Sequence, residues 1–504
     1  MSKTVNLGPI TRIEGHLGIK VDIEDGKVKS AFVSGEMFRG FENFLRGRDP
    51  LDAQYMIQRI CGVCPLDHGI ASVLAQDMAY HLIPPDNGRI VRNLAQAANF
   101  IASHITHFYL LSAFDFVDVA MISEYQGHDP ALLDLQAWVK AQTTSRQVYP
   151  AAPFLPRFKA QYLADKEANF GALKHYLDAL EIRSQAHKMA ALFAGKAPHA
   201  ASLVPGGVTV QVTSLNIAQY RTLLEGIQQF IDQAYLPDVV AVAGAFPEYF
   251  TLARGGGNFL AFGGFPESSA SDSNFFPGGA QIQGHWQPVD PEAVTEDVGQ
   301  SWFSSASARK PFDGETVAAP EKAGAYSWLK APRYQGQPME VGPLARLLAA
   351  YQDGRNPVLK AGIDGLLKTL NRPITDLPSV MGRHAARAIE CKMLADRCSL
   401  WLDQLKPEAP AFADFTIPDA GRGYGLTEAA RGALGHWMEI QGQKIHNYQC
   451  VVPTTWNCSP RDDRGVPGPI EQALVGIPVA DAANPIEVAR AVRSFDPCLA
   501  CAVH

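Results

Sequence analysis

Two cysteine pairs stand near opposite ends of this 504-residue chain: CGVC, with Cys61 and Cys64, and CLAC, with Cys498 and Cys501. Cysteines separated by two residues can turn both sulfurs toward one centre, so two such pairs offer four thiolates to a soft metal. A structural zinc site is the plain reading of such a quartet, and a redox-active dithiol is the next. Zinc ribbons, however, usually keep their pairs about 15–20 residues apart, whereas these lie at the two chain ends. A site that joins both ends of a large core is buried, and a large core needs no metal staple. The neighbours His68 and Asp496 and the final residue His504 also suggest chemistry.

The other four cysteines, Cys391, Cys398, Cys450 and Cys458, show no CxxC spacing. Cys391 and Cys398 are seven apart in a helical pattern and read as small core residues on one face. Nothing among them has the Cys-rich spacing of an iron–sulfur cluster.

The elements that must position the quartet are mostly helical. HLGIKVDIEDGKVKSAFVSG alternates apolar and polar residues around Asp25-Gly26, a hairpin pattern. After Gly47 the period becomes helical, with long helices expected over 87–114, 154–195 and 216–235. From Gly255 to about Pro332 the chain is rich in Gly, Ser, Pro and aromatics, which predicts an irregular, strand-containing excursion. Helices resume at LARLLAAYQDG and over 380–405. A Gly-rich strand region follows at 420–465, and an amphipathic helix over 484–495 delivers the last cysteines. The expected fold is mainly α, a multihelical core with a long helix bundle and peripheral β-sheets, α+β overall. It reads as one interlocked unit over 1–504: a β region (1–50), a helical core (51–252), the excursion (253–335) and a helical plus metal-binding region (336–504).

Lys and Arg total 44 against 51 Asp and Glu, a net charge of −7, which gives no support for nucleic-acid or anionic-membrane binding. The N-terminus has no apolar signal core. No run approaches the ~20 apolar residues of a membrane span, and the best candidate, FYLLSAFDFVDVAMI, is broken by Asp115 and Asp118. Export or membrane attachment is therefore expected from a partner.

Several stretches together resemble one family. They are GPITRIEGH (8–16), MFRGFENFLRGRDPLDAQ (37–54), RICGVCPLDHGIAS (59–72), KAPRYQGQPMEVGPLAR (330–346), EAARGALGHW (428–437), NYQCVVPTTWNCSPRD (447–462) and DPCLACAVH (496–504). They are similar to the large, catalytic subunit of nickel–iron hydrogenases along nearly the full length. Either CxxC alone would be weak; the paired signatures RxCGVCxxxH and DPCxxCxxH are specific. In that family the precursor runs past the corresponding His and is trimmed after nickel insertion, so a chain ending at His504 is expected to be the processed form.

The resemblance implies roles residue by residue. Cys61 and Cys498 would be terminal nickel ligands, and Cys64 and Cys501 would bridge nickel to an iron carrying one carbonyl and two cyanides. Cysteine at 498 implies a place outside the selenium-containing branch. Glu14, which alone reads as a surface glutamate paired with Arg12, would take a proton from Cys498. Glu42, alone an exposed helix charge, would ligate a magnesium or other divalent ion with His504 and the main-chain carbonyl of Cys450. Arg431, alone a helix-start arginine, would face the iron and its cyanides; Ala430 stands before it where the family usually has Pro. Pro453 and Thr454 would pack against and hydrogen-bond a cyanide, Thr454 standing where Ser is common. Asp115 and Asp496 would hold Arg431; alone they read as a helix-end Asp and an N-cap. His68 would bond a sulfur or be an ordinary core histidine.

The implied activity is reversible heterolytic oxidation of H2 by an uptake hydrogenase. The proton passes to Cys498 and then Glu14, and the electrons to an iron–sulfur small subunit. A heterodimer or a dimer of heterodimers is expected, with a membrane cytochrome reached through the partner as a further option. Placement is periplasmic or membrane-associated through the partner's twin-arginine signal, otherwise cytoplasmic. The alternatives are a hydrogen sensor and, from a different class, a structural zinc or scaffold protein; related complex I subunits lack the quartet.

Overall fold

The computed structural model describes residues 3–145, 161–268 and 273–504. The strands Lys3–Leu7, Leu17–Glu24 and Lys27–Gly35 form an antiparallel meander. Leu17, Ile19, Val21 and Ile23 all turn inward, as the alternation predicts. Glu24 pairs with Lys27 across Asp25 and Gly26, whose φ angles of 51° and 73° give the two-residue turn that matches strand twist.

Helix Pro65–Tyr80 starts where Pro can start one, at its first position, with Cys64 as the residue before it. It is buried almost throughout because the sheet of Ala420–Ala429, Gly432–Gln441 and Lys444–Val451 lies against it. Gly425 makes that approach possible, since a Cβ there would run into the Ala71 carbonyl.

The core is built from Asp86–Thr106, Lys166–Ala194, Ser214–Phe230 and Val380–Gln404, which pack on one another. The expected helix over 87–114 is α-helical only to Thr106 and then widens into a π-helical turn, His107–Ser112. An inserted residue of this kind leaves the apolar spacing almost unchanged, so periodicity does not detect it. The expected helix over 154–195 begins at Lys166, capped by the Asp165 carboxylate on the Ala168 amide; 154–160 lie outside the described residues. A capping box at Thr213 opens the third helix, which ends in a π-turn at Ile231–Tyr235 and runs on as Leu236–Ala245.

The excursion consists of short antiparallel pairs: Phe259–Ala261 with Gly279–Ile282, Gly264–Pro266 with Asn274–Phe276, and Val294–Asp297 with Ala331–Tyr334. The expected strand region over 420–465 is cut short at Val451, because Pro453 starts a short helix, Pro453–Asn457. Helix Ile486–Ser494 then leads to Cys498 and the terminal turn Leu499–Ala502. The architecture is the multihelical core with peripheral sheets that the sequence predicts. One apolar cluster runs from Ile10 to Val503 and contains all four CxxC cysteines. Among the described residues no helix is long and apolar enough to cross a membrane.

Candidate active site and metal centre

The quartet assembles. Cys61 and Cys498 sulfurs are 3.4 Å apart, Cys64 and Cys501 3.1 Å, and Cys498 and Cys501 3.1 Å. All four lie within 4.8 Å of one another and are buried. Metal–sulfur bonds of about 2.3 Å in a tetrahedral set place sulfurs about 3.8 Å apart, so this spacing suits a soft metal. Cys64 and Cys498 each stand directly before a helical turn, where backbone N–H groups favour negative charge. The Val63 amide donates to the Cys61 sulfur at 3.2 Å. Hydrogen bonds from Cys498, Cys501 and Cys64 draw the Cys61 thiol well below its ordinary value, whereas burial pushes Cys498 and Cys501 well above theirs. Four buried thiols cannot all ionise side by side without a cation, and metal charge removes that conflict.

Glu14 joins this cluster through backbone as well as side chain. Its segment bridges in parallel to Cys498, with its amide on the Pro497 carbonyl (3.3 Å) and its carbonyl on the Leu499 amide (2.8 Å). Gly15 permits the contact: at φ 81°, a Cβ would sit 2.9 Å from the Ala500 nitrogen. The Cys498 thiol donates to Glu14 Oε2 at 3.1 Å, and the Ala500 amide donates to the same oxygen at 3.0 Å. Burial and the nearby Cys61 charge raise the Glu14 carboxyl. The surface pair with Arg12 does not form; Arg12 bonds Asp115 instead.

Arg431 occupies the two-residue turn between strands Ala420–Ala429 and Gly432–Gln441, not a helix start. Its Nε donates to the Asp496 carbonyl at 3.0 Å and its Nη2 to Asp496 Oδ1 at 3.1 Å. Its buried Nη1 and Asp496 Oδ2 have no protein partner. Arg431 lines a small cavity with Cys64, Cys501, Asp67, Pro453 and Thr454. A free guanidinium N–H beside two sulfurs, next to a proline ring and a hydroxyl, fits an iron with small anionic ligands. The Thr454 hydroxyl accepts the Cys498 amide at 3.0 Å. A larger cavity of about 170 Å³ reaches Glu14 and Arg431 from the other side, past Val63, Ser103, Thr106 and Leu111.

Asp115 is a correction. It does not hold Arg431; its carboxylate takes Arg12 and, at 2.7 and 2.8 Å, Arg493 Nη1, and its carbonyl takes Arg490. Despite burial, Arg493, Arg12 and Arg490 hold its carboxyl below the usual range. Arg493 also reaches the Thr11 carbonyl at 2.9 Å. Asp115 therefore clamps the segment carrying Glu14 to the helix that delivers Cys498. Asp115→Asn strands buried guanidinium charge and lowers stability by about 3–5 kcal/mol, read as an earlier midpoint in chemical denaturation.

Glu42 is 1% exposed rather than a surface charge. Its Oε1 accepts the Cys450 amide at 2.8 Å and faces His504 Nε2 at 3.2 Å; its Oε2 takes Lys330 at 2.9 Å. His504 Nδ1 lies 2.7 Å from the Cys501 carbonyl, which can only accept, so Nδ1 carries a hydrogen. A neutral His504 then turns its Nε2 lone pair toward the Glu42 oxygen. That opposition calls for a proton or a cation between them, and oxygen with imidazole nitrogen suits a divalent ion. Glu42, His504 and the Cys450 sulfur lie within 4.8 Å of one another. Cys450 meets Glu42 through its amide.

His68 does bond a sulfur: Nε2 lies 3.4 Å from Cys501. The sequence reading missed His436 and Tyr448 behind it, and Asp67 beside it. Buried Asp67, pushed up to about 7 by burial, accepts the Ala430 amide at 3.4 Å, a bond that the family's usual proline there could not make. The Asp directly before His68 was the available signal.

A family model for nickel-dependent hydrogenases matches residues 39–504, and one described as HoxL-like matches 4–34. The chain is 42% identical to the periplasmic [NiFeSe] hydrogenase large subunit of Desulfomicrobium baculatum, covering 99% of this chain and 94% of that one. It is 36% identical to the uptake hydrogenase large subunit of Rhizobium leguminosarum bv. viciae (100% and 95%) and 35% identical to the hydrogenase-2 large chain of Escherichia coli K12 (100% and 97%). Its fold superposes on the Ni-Fe-Se hydrogenase of D. vulgaris Hildenborough in the reduced state with a TM-score of 0.88, at 40% identity and full coverage of both chains. Residue 498 is cysteine, yet the chain's identity to the selenium-named relative exceeds that to the other two. With the quartet, the matched motifs and the whole-length likeness, the chain belongs to the nickel-dependent hydrogenases, as a large subunit, an oxidoreductase acting on H2.

Proposed function

We propose that this chain is the catalytic subunit of an uptake hydrogenase that splits H2 heterolytically and reversibly. The observation that carries the reading is the buried contact of the Cys498 sulfur with Glu14 Oε2 at 3.1 Å, inside a four-sulfur cluster. A nickel–iron centre on those sulfurs would supply H2 binding and take up the electron pair. Cys61 and Cys498 would hold nickel alone, and Cys64 and Cys501 would be shared with an Fe(CN)2(CO) unit against Arg431, Pro453 and Thr454. The residues then handle the proton. Cys498 receives it, and Glu14, raised by burial, accepts it from the sulfur. Asp496 holds Arg431 at the mouth of the small cavity, and Glu42 with His504 would bind magnesium or a related divalent ion beneath the terminal turn.

Among the described residues no second cysteine cluster could carry electrons onward, which supports an iron–sulfur small subunit as partner, in a heterodimer or a dimer of heterodimers. Periplasmic placement agrees with the name of the Desulfomicrobium baculatum relative, and a membrane cytochrome behind the small subunit completes the proposed electron route.

The test is an infrared spectrum of the purified complex together with its metal content. One carbonyl and two cyanide bands, with nickel, iron and a divalent ion per chain, are expected. An empty window with one zinc per chain would sink the reading.

A further inference from the structure

Behind the quartet, buried polar groups line up into one chain that ends on Cys501. His68 Nε2 lies 3.4 Å from the Cys501 sulfur, and His68 Nδ1 lies 3.1 Å from His436 Nε2. His436 Nδ1 lies 2.9 Å from the Tyr448 hydroxyl, Ser72 faces that hydroxyl, and Gln76 Nε2 lies 3.4 Å from Ser72 Oγ. His68, Ser72 and Gln76 follow at four-residue spacing along one face of helix Pro65–Tyr80. His436 pairs with Cys450, which makes Tyr448 its diagonal neighbour on the adjoining strand. None of the five is more than 1% exposed.

The direction of the chain is set at its sulfur end and is compatible with the other. Gln76 Nε2 can only donate, while Gln76 Oε1 takes the Tyr80 hydroxyl. Ser72 accepts from Gln76 and keeps its own hydrogen to turn to Tyr448, an arrangement in which Tyr448 donates to His436 Nδ1. A neutral ring has one N–H, so His436 donates from Nε2 to His68 Nδ1, and His68 donates from Nε2 to the sulfur. Held by a metal, Cys501 is a thiolate and only accepts, so on the hydrogenase reading the far end sets this direction. Reversing one link would set lone pair against lone pair in a dry interior.

We propose that Tyr448 and His436 are positioning residues that lock His68 in its Nε2–H form, so that Cys501 stays a hydrogen-bond acceptor and the proton is left to Cys498 and Glu14. This rests on the hydrogenase reading for its donor direction and its consequence, while the distances stand without it. Such a lock distinguishes two sulfurs only 3.1 Å apart. One is capped by a donor, while the other faces a carboxylate that can receive.

Nitrogen-15 spectra of the complex with labelled histidines test it first. Both His436 and His68 should show a bare Nδ1 and a protonated Nε2, and the opposite form at either ring overturns the proposal. Tyr448→Phe and His436→Gln are the second test, read in the infrared. Losing the donor makes the sulfur a stronger electron donor, so the carbonyl band should move to lower wavenumber in both variants. A band unmoved in both also overturns the proposal. If wild type shows no carbonyl or cyanide band, the hydrogenase reading fails, while the nitrogen shifts still decide the lock.

Discussion

Glu14→Gln lowers H2 oxidation by about 10²- to 10⁴-fold, the usual worth of a positioned acid–base group, while nickel and iron content stay at the wild-type level. The amide keeps the size of the carboxyl and can still accept the Ala500 amide, now 3.0 Å from Oε2, so the parallel bridge to Cys498 survives. What it cannot do is accept a proton from the Cys498 sulfur, 3.1 Å away, as the proposed path requires. The pH profile gives an independent reading. Burial and the Cys61 charge raise the Glu14 carboxyl, so its proton-accepting form grows as pH rises through that raised value. Wild-type oxidation should climb over that limb and the variant should lose it. Unchanged turnover and an unchanged limb in Glu14→Gln would remove Glu14 from the proton path.

Cys64→Ala has a larger structural effect: it should abolish bound nickel and iron, measured by elemental analysis of the purified chain. Removing an outer partner of a metal ligand already costs about 10–100-fold in affinity, and this change removes a sulfur that lies 3.1 Å from Cys501 at the centre of the cluster. The three remaining thiols would return to a buried, metal-free state in which burial disfavours ionising Cys498 and Cys501. Loss of metal also lowers thermal stability by mass action, since only the folded chain presents all four sulfurs together. Cys391→Ala is the matching control. Cys391 is equally buried but sits in helix Val380–Gln404, outside the quartet, so both metals should stay. Metal loss in both variants would mean that the effect is general destabilisation.

The sequence alone determined the features that depend on local spacing. Apolar period and turn chemistry located the Asp25-Gly26 hairpin and the long helices, because these follow from neighbours a few residues apart. The CxxC spacing marked four thiolates able to turn toward one centre, because each pair is a local geometry, while their separate roles as ligands came from the family resemblance alone. Only the tertiary structure decided which distant groups meet. Asp115 looked like a support for Arg431, yet three arginines from two other segments reach it first. Glu42 looked solvent-exposed, but the terminal turn and Lys330 enclose it. The chain through Tyr448 and His436 joins one helix to two strands far apart in sequence, a juxtaposition that no spacing encodes. A buried carboxylate or imidazole takes its role from the partners that desolvation forces it to find, and those partners are set by packing rather than by sequence neighbours.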